Sequence, residues 1–210
     1  MSYPVHFEAD YVERRSRLTT LLRLILVIPA ALLLYVYAIV AYIAVVIAWF
    51  AIVLTGRFPA GLYNFIAGFT RFLVRVSAYA TLLCDPYPPL GGSPDDAYPV
   101  RMHFDGPLER YSRARTFFRI ILAIPIAVLR YVLGLLLEVC AVGAWFVILV
   151  IGKLPRGLFD VMALASAYTA RSDAYLFLLT ETYPPFQEPA AGEAGPASGA
   201  TAAAPPPPTA

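Results

Sequence analysis

Charge is what this sequence is shortest of. Asp, Glu, Lys and Arg make up only 14% of its 210 residues, whereas 60% are hydrophobic. Soluble domains carry about 25% charged and about 45–50% apolar residues. Mean hydropathy is +0.67. A water-soluble domain of this size has too little interior to hide that much apolar surface, so composition points to a bilayer as solvent. The net charge of +2 is too small, and the basic residues too scattered, for a nucleic-acid partner. Cysteine and histidine are equally scarce. Cys84 and Cys140, with no CxxC, and His6 and His103 do not make a zinc site, and the cysteines read as unpaired thiols. There is no Ser-His-Asp grouping and no paired carboxylates. Gly56-x-x-Pro59-x-Gly61 lacks the preceding strand and the Lys-Ser/Thr of a phosphate loop. No catalytic residue, cofactor or metal is expected, and the reading is non-enzymatic. Acidic and basic residues crowd positions 1–17 and no small-residue cleavage site follows, so the first apolar segment is expected to be retained.

What the chain does have is a repeat. Shifted by 96 residues, its two halves align without a gap. Glu13-Arg14-Arg15-Ser16-Arg17 falls on Glu109-Arg110-Tyr111-Ser112-Arg113, Arg23 on Arg119 and Pro29 on Pro125. Ala48-Trp49-Phe50 falls on Ala144-Trp145-Phe146, and Gly56, Pro59 and Gly61 on Gly152, Pro155 and Gly157. Arg75, Ala78 and Tyr79 fall on Arg171, Ala174 and Tyr175, and each half closes with Tyr-Pro-Pro. Each opens with Tyr-Pro-Val, at 3–5 and 98–100, one residue out of that register. The expected organisation is a first membrane unit over 1–90, a linker over 91–97 and a second unit over 98–186. A disordered Ala/Pro-rich tail is expected over 187–210.

These motifs resemble a family of small bacterial, largely actinobacterial, integral membrane proteins catalogued as a domain of unknown function. The resemblance covers residues 3–89 and 98–186 and implies membrane residence and duplication, with no activity to carry over. The second copy departs from the first at Arg130, Glu138 and Asp173, where the first has Leu34, Tyr42 and Ser77.

Residues 18–54 form an apolar run broken by one charge, Arg23. As one helix this run would be about 55 Å long, nearly twice the hydrocarbon thickness of about 30 Å. Two arrangements follow. Pro29 could break the run, so that 30–54 and 61–83 both cross the membrane. Alternatively the run folds as a hairpin turning near Tyr35–Tyr37 (Arg130–Gly134 in the second copy), with 61–83 and 157–179 flat on the surface. Either way the fold class is an all-α integral membrane protein with two tandem units. About four spanning segments and amphipathic interfacial helices are expected. The arginine-rich segments favour cytoplasmic termini in a multi-pass inner-membrane protein.

Four features are candidates for function. Arg71, Arg75 and Arg171 lie on one stripe and would contact lipid headgroups or an anion. Glu138 is the single acid inside an apolar run, with Arg130 as a conceivable partner. Ala41, Ala44, Ala48 and Ala51 form a small-residue stripe suited to close helix packing. Gly56 and Gly152 are placed as helix C-caps. The function expected is membrane organisation, scaffolding or lipid interaction, with membrane lipids and a homo-oligomer or a membrane protein as partners. The alternative is a small transporter or channel subunit with Arg71, Arg75, Arg171 and Glu138 on its pathway.

Overall fold

The structure, a computed structural model, describes residues 3–185 (the side chain of Ile120 apart). The tail expected over 187–210 lies outside the described residues. Ser16 opens the first helix, its hydroxyl accepting from the Thr19 amide. Helix α1 (Arg17–Thr55) then runs without a break for 39 residues. It ends where Gly56 turns left-handed (φ 73°) and its amide returns to the Ile52 carbonyl. Pro59 starts α2 (Ala60–Ala80). The second unit repeats this with one interruption. Helix α3 (Arg113–Phe117), capped by Ser112, stops at Phe118, and α4 (Arg119–Ile151) continues to a left-handed Gly152. Helix α5 (Arg156–Leu176) follows Pro155.

Two of the four expected spanning segments appear as helices long and apolar enough to cross a membrane, α1 and α4. Neither the break at Pro29 nor the hairpin turn at Tyr35–Tyr37 forms. Pro29 deletes one hydrogen bond, but packing anchors the helix on both sides of it. Arg23 bonds the Tyr79 carbonyl, and the Tyr37 ring meets Phe65 and Phe69.

The chain is mostly helical, with two five-residue strands the sequence did not suggest. Strand β1 (Val5–Ala9) pairs antiparallel with β2 (Val100–Phe104). The register is informative. Phe7 lies opposite Met102, its own repeat equivalent at an offset of 95, and Val5 lies opposite Phe104, the equivalent of Ala9. A pseudo-two-fold axis therefore passes through the Phe7–Met102 pair.

The same axis relates the contacts at the helix ends. The Tyr111 amide donates to the Gly56 carbonyl, and the Arg15 amide to the Gly152 carbonyl. The Trp49 indole donates to the Thr116 carbonyl, and that of Trp145 to the Thr20 carbonyl, both at 3.1 Å. Each unit's leading arm thus seals the other unit's long-helix terminus. The start of α1 lies beside the end of α4, as the Arg17 bond to the Val150 carbonyl confirms, so the two long helices run antiparallel.

Three layers result. Helices α1 and α4 form one face, α2 and α5 the middle, and the two-stranded sheet caps α2 and α5 on the far side. Most of α2 is buried, including Tyr63, Ile66, Phe69 and Phe72. The long helices bury only one stripe and expose the rest, from Leu18, Leu24 and Ile25 to Val46, Phe50 and Leu54.

The 91–97 segment is anchored at Gly92. Gly92 lies so close to the Gly68 backbone that a Cβ there would strike it, and Arg71 holds the Gly92 carbonyl. Gly92→Ala is therefore expected to cost about 1–3 kcal/mol, the usual range for overpacking. Gly61→Ala, with open space around it, is expected to leave stability unchanged or raise it slightly. Thermal melts in detergent check both, and equal melting temperatures for the two variants would contradict the packing.

Candidate functional site

Arg71, Arg75 and Arg171 were expected to reach outward to headgroups. The fold turns them the other way, toward the sheet, because the stripe they occupy on α2 and α5 is the one covered by β1, β2 and the linker. The Arg71 Nε donates to the Met102 carbonyl at 3.2 Å and its guanidinium lies 5.0 Å over the Phe104 ring. Arg75 is 3% exposed and lies over Tyr98. Arg171 is equally buried and interacts electrostatically with Tyr3, the repeat equivalent of Tyr98. These side chains tie the middle layer to the cap. Cys84 belongs to the same layer: its Sγ lies 3.1 Å from the Tyr98 hydroxyl, and burial pushes the thiol up.

Glu138 and Arg130 do not meet. Arg130 crosses from α4 to α5, where its Nε donates to Asp173 Oδ1 at 2.6 Å. Asp173, which the sequence reading left out of the site, is buried beside it. The signal was present: Arg130 and Asp173 are both absent from the first unit, which has Leu34 and Ser77 at those positions. Glu138 itself is exposed on α4, and among the described residues it makes no ion pair or hydrogen bond. The small-residue stripe is buried at Ala41, Ala44 and Ala48, then continues at Ile52 rather than at Ala51, which is only partly covered. That shift is the ordinary drift of a 3.6-residue period. Ala144, the equivalent of Ala48, is also fully buried.

The residues that the sequence singled out least are a buried arginine pair, Arg23 and Arg119, equivalent by the repeat. Arg23 Nη1 donates to the carbonyls of Tyr79 and Cys84, at 2.6 and 2.7 Å, and its Nη2 meets Asp85 at 2.7 Å. Its guanidinium lies 4.4 Å over the Tyr79 ring. Arg119 donates to the Thr180 carbonyl and lies 4.2 Å over Tyr175. An arginine locks each long helix to the loop that ends the following helix, and Leu82 and Leu178 in those loops take left-handed backbone (φ 67° and 68°). The sequence marks the two only as matching charges in the repeat, because a single charge near a helix start carries no sign of which way it points.

The sequence profile of a domain of unknown function, DUF4389, matches residues 17–90 and again residues 113–188. The chain belongs to the DUF4389 family. It carries two tandem copies of that domain, and the two matches begin at the equivalent residues Arg17 and Arg113. No curated protein and no solved structure matches the chain.

Among the described residues no group of three or more His, Cys, Asp or Glu side chains could hold a metal ion. Arg23 and Arg119 each tie a long helix to the loop after the next helix of the same DUF4389 copy, and Arg75 and Arg171 reach the leading arm of the other copy. The Arg130–Asp173 pair, which joins α4 to α5 inside the second copy, gives a direct test of such buried contacts. Arg130→Leu alone leaves a buried carboxylate and is expected to cost about 3–5 kcal/mol. Arg130→Leu combined with Asp173→Ser installs the first copy's residues and is expected to recover most of the loss. Denaturation of the two singles and the double, as a cycle, reads the coupling; additive losses would show that the two side chains act independently.

Proposed function

We propose that this two-copy DUF4389 protein is a non-enzymatic membrane-organising protein that sits in one leaflet. Helices α1 and α4 are sunk in hydrocarbon, and the sheet faces the cytoplasm. The observation that carries this is the position of the charged sheet on the pseudo-two-fold axis. Antiparallel helices related by a two-fold axis lie across it. If α1 and α4 crossed the bilayer, the axis would lie in the membrane plane and the sheet would sit at mid-depth. It exposes Glu8, Asp10, His6 and His103. Charges and open strand edges are not tolerated there. With the axis along the membrane normal the sheet is in water, and the apolar flanks of both long helices face the acyl chains.

Helix length supports the same orientation. As a straight rod α1 is about 58 Å long, about twice the hydrocarbon thickness. Charge supports it too. Arg14, Arg17 and Lys153 gather at one end of the paired helices and Arg57 and Arg113 at the other. Two crossing helices would put basic clusters on both sides of the membrane. Helices lying in plane put all of them around one rim, as the positive-inside tendency requires for a cytoplasmic face. The count of membrane crossings in this reading is none, against the four expected, because a continuous α1 has no turn at which to double back.

Two long helices inserted in one leaflet enlarge that leaflet alone, which favours curvature or recruits other proteins to the surface. A transport pathway gains little support, since Arg75 and Arg171 are enclosed against Tyr98 and Tyr3, the tyrosines that precede the two strands. Glu138, exposed on the apolar side of α4, is available to a second copy, the homo-oligomer contact that the sequence raised.

Sidedness tests the proposal. With Cys84 and Cys140 replaced by serine, single cysteines at Ala60 and Arg156 report the far ends of α1 and α4. Both are expected to react with a membrane-impermeant maleimide only after cells are lysed. Labelling of one of them from outside, with the other protected, would mean that α1 and α4 cross the membrane in opposite directions.

A further inference from the structure

We propose that a groove beside the start of α4 holds one acyl chain of an anionic membrane phospholipid, with the phosphate against Arg119; this rests on the single-leaflet reading above. The groove has a volume of about 500 Å³ and is walled by Val46, Trp49 and Phe50 of α1, Ala123 of α4, and Leu178. Volumes of this size are typical of pockets that take small ligands. Val46 and Phe50 are more than half exposed on the apolar face, so the groove opens where acyl chains would lie. Arg119 is the single charged residue lining it.

The repeat supplies the argument for an anion. In the first copy Asp85 does two things: Oδ2 accepts from the Ser16 amide at 3.1 Å, and Oδ1 pairs with Arg23 at 2.7 Å. The second copy has Glu181 at the equivalent position. Its Oε1 accepts from the Ser112 amide at 2.7 Å, and no ion pair joins it, or any other acid among the described residues, to Arg119. Arg119 is 6% exposed, and its Nη1 has no hydrogen-bond partner. Glu181 acts on Arg119 through space without a direct ion pair, and an anionic oxygen at the mouth of the apolar groove supplies the close partner that Asp85 supplies to Arg23. A lipid phosphate delivers the oxygen, and its acyl chain fills the apolar part.

Trp49 lines the groove, and Trp145 is its equivalent beside the already paired Arg23, so the protein contains its own reporter and control. The full chain is reconstituted in phosphatidylcholine vesicles carrying a small fraction of brominated lipid, and tryptophan quenching is measured. In Trp145→Phe protein, brominated phosphatidylglycerol is expected to quench Trp49 at about tenfold lower mole fraction than brominated phosphatidylcholine. Arg119→Gln is expected to abolish that preference, and Trp49→Phe protein, reporting from Trp145, to show none. If Arg119→Gln does not fold, Glu181→Asp, which restores the acid of the first copy, is expected to weaken the preference. Equal quenching of Trp49 by the two lipids would overturn the proposal, as would a preference that survives both variants. Relief of quenching by millimolar inorganic phosphate would also overturn it, by marking a free-anion site. Failure of the single-leaflet reading looks different: it appears as one-sided labelling of the cysteines at Ala60 and Arg156, whichever lipid quenches Trp49.

Discussion

Each long helix ends at a glycine whose carbonyl is bonded by the leading arm of the other copy. That exchange is the constraint on which the rest depends. Tyr111 to Gly56 and Arg15 to Gly152 are backbone bonds, indifferent to most side-chain changes, and Trp49 and Trp145 repeat the exchange one layer in. Because the arms cross over, neither copy can complete its helix termini alone. The antiparallel course of α1 and α4, the central sheet and the pseudo-two-fold axis all follow from this crossing. Two linked beads, each with its own sheet edge and its own exposed α2, would be the outcome without it.

A large apolar interior runs through both copies, and buried cations tie the elements together within it. Arg23, Arg75, Arg119 and Arg171 are all buried. Arg23, Arg75 and Arg119 lie against tyrosine rings, and backbone carbonyls take part of the planar donor fork of Arg23 and Arg119. Apolar burial is concentrated in α2 and α5, while α1 and α4 spend most of their surface outward. An outward apolar surface of that extent is unstable in water and stable in lipid, so the middle layer is organised by protein contacts and the outer layer by its solvent. Divergence between the copies occurs inside this frame. The Arg130–Asp173 pair replaces Leu34 and Ser77, and Glu181 replaces Asp85, which leaves Arg119 without the partner its equivalent has.

Much of this was legible in the sequence. The gap-free repeat showed the two copies, and the glycines at 56 and 152 marked helix ends because only a residue free of a Cβ turns left-handed at little cost. Helices expected over 61–83 and 157–179 begin and end within a few residues of α2 and α5. The strands were not legible. Each has five residues, and the partner of each lies about 95 positions away, so neither periodicity nor a turn announces the pair. The arginines on α2 and α5 were placed on the right stripe and given the wrong surroundings, because a helix face that meets solvent and one that meets a small sheet with its flanking tyrosines and carbonyls have the same pattern. A break at Pro29 was one of the two arrangements the first apolar run allowed. A single missing bond does not break the helix when Arg23 and Tyr37 pin the turns on either side.

The central claim is that α1 and α4 lie along the membrane rather than through it. Polarised infrared dichroism of the amide I band on oriented bilayers measures this directly, since the transition moment lies close to the helix axis. The account predicts stronger absorption for light polarised in the membrane plane. Stronger absorption along the membrane normal would contradict it, since the two long helices would then cross the bilayer.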